Sequence, residues 1–312
     1  MNGPVAGSPR ISVLIPCFED AAYVERAVAS VREDEAVEIV VADDGSQDPL
    51  TLEALDRIAE RGAVVVRSDE NRGVTATRNA ALAASSGAYV FTLDADDLAV
   101  AGRIAEMADM LDADPSSAVC YGDFLEFGGH LLLRAVPDRI DPYRVAYVNE
   151  YPQTALYRRS VIERFGGWTR VWEGLDARSD WNLWMTLAEE GQKGTYFGPR
   201  RPTYLYRIGD PRLAMRGRRF HPEIYEALRS AHPKLFGEIG RHRRETDLGL
   251  VRRYLYPVLY GRRALRPWEA EPRVKRVLDD LGIWTLQHRL DDDERRSFQR
   301  LVAASESAPP AR

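Results

Sequence analysis

The first 120 residues alternate short apolar runs with longer stretches of helical periodicity. ISVLIPC at 11–17 and VEIVVA at 37–42 are continuous, β-branched apolar runs, the pattern of strands buried on both faces. Between them, Ala22, Val24, Ala27, Val28 and Val31 fall at helical spacing within 21–32. Asp48-Pro49 supplies an N-cap and a first-turn proline for a helix reaching residue 61. The same reasoning predicts a strand over 63–67, a helix over 73–86 stopped by Gly87, a strand over 89–93, a helix over 101–111 and a strand over 118–121.

Such alternation predicts an α/β fold, Rossmann-like, with a mostly parallel central sheet covered on both faces. Ligands of these sheets bind beyond the carboxyl ends of the strands, so the polar clusters after the first, second and fourth strands share one edge. The middle of the chain is less regular. A hairpin is expected over 124–136 around Gly128-Gly129, a strand over 154–157, a helix over 159–165, an amphipathic helix over 180–190, and strands over 193–197 and 203–207. From 220 onward the pattern is helical and arginine-rich, with Pro257 expected to kink or end one helix. Residues 1–9 and 304–312 read as disordered tails, 10–210 as the α/β domain and 211–303 as a C-terminal helical extension.

With 312 residues, 45% apolar and 29% charged, wholesale disorder and fibrous repeats are excluded. No run approaches the roughly 20 apolar residues that span a bilayer. Residues 1–10 lack the cationic and apolar regions of a signal peptide, and two cysteines, Cys17 and Cys120, make no disulfide framework. The expected setting is therefore cytoplasmic. The net charge of −5 conceals an asymmetry: residues 200–270 carry 17 basic and 7 acidic side chains. That excess suits an anionic partner. Arg241, Arg243, Arg244, Arg252, Arg253, Arg262 and Arg263 interleave with Tyr254, Tyr256 and Tyr260. They suit peripheral contact with a membrane surface or lipid-linked phosphate, or simply a solvated helical face. Packing on the α/β domain, a homodimer and acceptor binding are the open roles for this region. Nucleic acid is disfavoured by the acidic whole and the lack of a recognition motif.

Four segments carry candidate chemistry. TLDADDL crowds Asp94, Asp96 and Asp97 just past a buried strand, where mutual repulsion calls for a hard divalent cation or a hydrogen-bond array. A solvated, capped turn is the plainer reading. In Asp43-Asp44-Gly45-Ser46 a carboxylate can accept from the imide of a pyrimidine base or N1–H of guanine, or merely cap a loop. In NRGVTATRN, Gly73 opens a helix whose free N–H groups favour anions, and Arg78 follows one turn later. Asp180 in SDWNLW is either a helix N-cap or a general base. Trp168, Trp172 and Trp181 nearby are sugar-stacking candidates, or core.

Taken in order, ISVLIPCFED, EIVVADDGSQD, NRGVTATRNAAL, YVFTLDADDL, the FGGW turn and SDWNLWMTLAEEG resemble family two of the GT-A fold glycosyltransferases. These transfer a sugar from a nucleotide sugar with inversion, and the resemblance spans roughly residues 10–210. It implies a nucleoside-diphosphate-sugar donor (UDP, dTDP or GDP), Mn²⁺ or Mg²⁺, and an acceptor hydroxyl. It also implies that Pro16 and Phe18 line the base pocket, Asp44 pairs with the base, Asp43 lies near the ribose and Arg78 closes the pocket. Glu19, Gly73 and Ala95 complete the donor-binding set. Asp94 and Asp96 match the DXD pair, with Asp96 the principal metal ligand, and Asp180 matches the catalytic base. His221 is a lesser metal-ligand candidate. Two departures stand out: Phe18-Glu19 where the family often has Tyr-Asn, and Ser179-Asp180 where it often has Glu-Asp. The competing readings are an inert nucleotide-sugar binding module and a sugar nucleotidyltransferase. The second lacks its glycine-rich phosphate loop here, and neither GxxxxGK nor GxGxxG occurs.

Overall fold

The architecture is that of a computed structural model, which describes residues 9–176, 178–209, 219–262, 287–288 and 290–307. In chain order its first elements are β1 (Ile11–Cys17), α1 (Val24–Ser30), β2 (Val37–Asp43), α2 (Pro49–Glu60), β3 (Val64–Arg67), α3 (Val74–Ala84), β4 (Tyr89–Thr92), β5 (Leu98–Ala99), α4 (Arg103–Ala113) and β6 (Ser117–Tyr121). The middle holds β7 (Phe124–Phe127), β8 (Leu132–Arg134), α5 (Pro142–Val145), β9 (Leu156–Arg158), α6 (Arg159–Arg164), α7 (Ser179–Glu189), β10 (Lys193–Tyr196) and β11 (Tyr204–Arg207). The rest of the described residues hold α8 (His221–Ala231), α9 (Pro233–Gly237), α10 (Ile239–Glu245), α11 (Leu250–Tyr260), β12 (Gln287–His288) and α12 (Asp292–Glu306).

Seven strands form one sheet in the order β10-β6-β9-β4-β1-β2-β3. Its pairs are parallel except where β9 lies antiparallel between β4 and β6. All seven residues of β1 are buried because helices cover both faces. Val13 and Ile15 join one core with α1, α2 and α4, while Leu14 joins the other with α3 and α7. At the start of α2, Asp48 accepts from the Leu50 and Thr51 N–H groups, as its position before Pro49 predicts.

A second sheet, β12-β8-β7-β11-β5, contains the expected hairpin, with Leu125 opposite Leu133. Its apolar face is closed by Leu290, Phe298, Leu301 and Val302. The end of the chain therefore returns to the α/β part: α12 runs to Glu306, past the point at which the sequence suggests a tail. An apolar stripe within a highly charged helix supplies the driving force. Residues 1–8 and 308–312 lie outside the described residues.

Pro257 does not end its helix. The carbonyl of Arg253, deprived of its i+4 partner, accepts from the Tyr143 hydroxyl at 2.5 Å, and α11 continues to Tyr260. Trp168 and Trp181 are buried core residues, and the Trp181 indole N–H donates to the Val145 carbonyl at 2.7 Å. Trp172 packs against Phe220. The sugar-stacking reading of Trp168 and Trp181 is thereby corrected: neither presents a ring face to solvent. No helix among the described residues is long and apolar enough to cross a membrane.

Candidate functional site

At the carboxyl ends of β1, β2 and β4 lies a cavity of about 410 Å³, a size suited to a small organic ligand. Pro16, Phe18, Asp44, Gly73, Asp94, Ala95 and Asp96 line it together. Phe18 is 44% exposed, a large apolar ring at the rim. Sequence reasoning missed Asp20, Thr77 and Asp176, which also line it. Three expected donor residues are not on its wall. Asp43 faces a neighbouring cavity of about 290 Å³, Glu19 turns to the β2–α2 loop, and Arg78 is buried behind Asp94.

Glu19 has a positive φ of 56°, a conformation that favours asparagine over glutamate. The strain is offset locally. Its carboxylate accepts from the Gln47 N–H at 2.7 Å and the Asp48 N–H at 3.1 Å, and its own N–H donates to Ser46 Oγ. Where the family often has an amide, this chain has a loop clamp.

The start of α3 is already occupied by protein carboxylates. Asp44 accepts from the N–H groups of Arg72 and Gly73 at 2.8 and 2.9 Å. Asp176 accepts from the Thr75 N–H at 3.0 Å and from its hydroxyl at 2.5 Å. The expected free, anion-seeking helix end is thus filled by Asp176, whose distance in sequence from α3 hides the contact. Gly73 has φ 91° and faces this carboxylate.

Asp94, Asp96 and Asp97 bring ligand oxygens within 4.8 Å of one another. Their environments differ. Asp94 accepts from Arg78 Nη2 at 2.8 Å and from the Gln153 amide. Asp97 is buried and accepts from the Arg207 N–H at 2.8 Å, and Arg207 Nε donates to the Asp96 carbonyl. Asp96 has no ion pair among the described residues. Burial, then the charges of Asp94 and Asp20, push its carboxyl up to about 7. Burial, then Asp96 and Asp94, raise Asp97 as well. A hard, all-oxygen cluster whose carboxylates resist ionising together is chemically suited to a divalent cation.

Asp180 is in the first turn of α7 but does not cap it; Arg178 holds the cap position with φ 69° and no side-chain bond is made there. Instead Asp180 Oδ2 accepts from Asn149 Nδ2 at 2.7 Å. Asn149 Oδ1 accepts from the Tyr151 N–H at 3.2 Å, and because a backbone N–H only donates, this contact orients the amide toward Asp180. Asp180 is not on the cavity wall, and Arg78, ion-paired with Asp94, feels Asp180 through its charge alone. Burial opposes its charge, but Asp94 by attraction and hydrogen bonding, and Asp180 more weakly, raise its pKa. His221 stacks on Trp181 and meets the Gly261 carbonyl at 3.2 Å, apart from the acidic trio. Arg212, Arg216, Arg218 and Arg263, within the basic stretch 200–270, lie outside the described residues.

Comparison with known proteins agrees with this fold. The crystal structure of S. aureus TarS 1-349 in complex with UDP-GlcNAc superposes with a TM-score of 0.59 at 17% identity, covering 88% of this chain and 80% of that one. The succinoglycan biosynthesis protein ExoU of Rhizobium meliloti is 42% identical over 101 residues, 31% of this chain and 29% of ExoU. Chondroitin synthase of Pasteurella multocida is 34% identical over 200 residues, 59% of this chain and 19% of the synthase. The chain thus matches under a third of the length of these curated relatives. Residues 12–166 match the model of glycosyl transferase family 2. Through that stretch the chain belongs to glycosyl transferase family 2, with the GT-A fold.

Proposed function

We propose that the chain transfers a hexosyl group from a nucleoside-diphosphate sugar (UDP, dTDP or GDP) to an acceptor hydroxyl of a glycan, lipid-linked or small molecule, with inversion. The observation that carries this reading is the acidic trio gathered at the cavity beyond the strand ends, with Asp94 fixed by the buried Arg78; Asp180, held by Asn149, is close enough for its charge to act on the same arginine. The UDP-GlcNAc complex of TarS supports a sugar nucleotide as donor.

The donor lies along the cavity, its base between Pro16, Phe18 and Asp44. Asp44 keeps a lone pair on each oxygen beyond the bonds to Arg72 and Gly73, so it can still accept from a base imide. Asp96, with Asp94, would hold Mg²⁺ or Mn²⁺; the lack of an ion pair to Asp96 among the described residues and its raised pKa fit a group that awaits a cation. Bound there, the ion supplies neutralisation of charge on the departing diphosphate. Asp180 takes the acceptor's proton as its oxygen attacks the anomeric carbon and the bond to the diphosphate breaks. With Oδ2 held by Asn149, Oδ1 is the atom that receives the proton.

The test begins with melting-temperature shifts for a panel of UDP-, dTDP- and GDP-sugars with Mn²⁺. The donor so identified should bind Asp180→Asn as tightly as the parent, while that variant transfers no sugar. An active Asp180→Asn variant would remove the base assignment. Full donor binding with no transfer or slow donor hydrolysis in the parent would favour an inert binding module.

A further inference from the structure

The C-terminal helix α11 buries one face and exposes another of unusual composition. Tyr256, Leu259 and Tyr260 are in the core, whereas Leu250 is 69%, Val251 66%, Tyr254 57% and Val258 50% exposed. At about 100° per residue, these four side chains fall within about 100° of arc on one helix surface. The most solvent-accessible stripe of the helix is therefore wholly apolar, the reverse of an ordinary surface helix.

The surroundings are basic. Between residues 239 and 262 there are six arginines and two acidic residues. Several of the arginines are committed internally: Arg241 to Glu238, Arg253 to the carbonyls of Thr246 and Leu248, and Arg262 to Glu226. Arg243 and Arg244 make no ion pair among the described residues. Arg243 stands over the Tyr254 ring, 5.2 Å from its centroid, so an uncompensated cation borders the stripe itself.

Two partners could cover such a surface. A second copy of the chain, docked about a twofold axis, would bring the same arginines against one another. Four side chains also fall well short of the roughly 800 Å² per partner of a stable interface. An anionic bilayer meets both features, taking the apolar stripe between its headgroups and the arginines against its phosphates.

We infer that the exposed face of α11 is a docking site for an anionic membrane surface, on which the protein lies without crossing. The opposite face of the same helix is tied to the candidate active site. The Tyr256 hydroxyl donates to Glu150 at 2.6 Å, beside the Asn149 that holds Asp180. A docked α11 is thus one contact removed from the residue that holds Asp180.

The test is co-sedimentation of the full chain with vesicles of phosphatidylcholine alone and of phosphatidylcholine with phosphatidylglycerol, at low and high salt. Binding is expected only with phosphatidylglycerol and is expected to weaken with salt. Arg243→Gln and Arg244→Gln should each weaken it about five-fold. Leu250→Ser combined with Tyr254→Ser should abolish it, with an unchanged melting temperature because both side chains are exposed. Equal binding to both vesicle types, no binding to either, or full binding by the Leu250→Ser, Tyr254→Ser variant overturns the inference. A dimer in solution that the same double variant disperses overturns it in favour of a second copy.

Discussion

Replacing Gly73 with alanine adds one methyl group at the place where α3 meets the cavity. Two costs follow. Gly73 has φ 91° and ψ 160°, a region nearly reserved for glycine, where an L-residue costs about 1–3 kcal/mol. The new Cβ would also overlap Asp176 Oδ2 and lie 2.9 Å from Arg170 Nη2. Asp176 then has to leave Thr75, giving up charge-assisted hydrogen bonds of about 1.5–3 kcal/mol each. With one such bond lost, the total is about 2.5–6 kcal/mol, or a fall in melting temperature of roughly 5–12 °C at about 2 °C per kcal/mol. Gly62→Ala is the control, since Gly62 has φ 96° but nothing within 4 Å of its added Cβ, and only the backbone cost applies. Adding Asp176→Ala to Gly73→Ala should restore part of the loss, a coupling measurable as a double-mutant cycle. If Gly73→Ala melts no lower than Gly62→Ala, Asp176 does not occupy the start of α3 and the account of that helix end fails.

Three further outcomes are expected. Asp96, raised to about 7, binds its proton more tightly folded than unfolded, so its contribution to stability grows as pH falls below about 7 and is lost as pH rises through it. Chelator-treated protein should melt higher just below pH 7 than well above it, and Asp96→Asn should flatten that slope; an unchanged slope would assign it elsewhere. Asn149→Leu removes the donor to Asp180 and should lower kcat about 10- to 100-fold, as expected for a hydrogen bond to a charged group, with the donor KM unchanged. Rescue by Asn149→Gln would separate this positioning role from simple packing. Burial pushes both cysteine thiols up to about 12, so iodoacetamide should leave Cys17 and Cys120 unmodified in folded protein and label both after denaturation.

The N-terminal half of the fold is legible because its signals are local. Apolar runs predict β1, β2 and β4, Asp48-Pro49 predicts the start of α2, and Asp94 and Asp96 follow a strand end by arithmetic alone. What escaped prediction depends on contacts distant in sequence. Gln153 and Asn149 occupy a stretch without periodicity, yet they hold the two acidic groups at the centre of the site. Asp176 reaches Thr75 from a hundred residues away, and Asp180 exchanges a cap for a side-chain partner. Pro257 reads as a helix terminator because no local rule includes a tyrosine from α5 able to satisfy the orphaned carbonyl. In α11 the sequence suggests an arginine-rich face, whereas packing leaves an apolar one exposed.

The antiparallel insertion of β9 has a consequence for synthesis. A chain emerging from the ribosome delivers β1, β2, β3, β4 and β6 long before the three residues that bridge β4 to β6. Until then two strand edges stand open in the middle of the sheet, each a template for wrong pairing. Gln153, which completes the setting of Asp94, arrives three residues ahead of the bridge. The bridging of β4 to β6 and the fixing of Asp94 are thus one event at mid-chain, and any product truncated before Leu156 inherits the exposed edges without the chemistry.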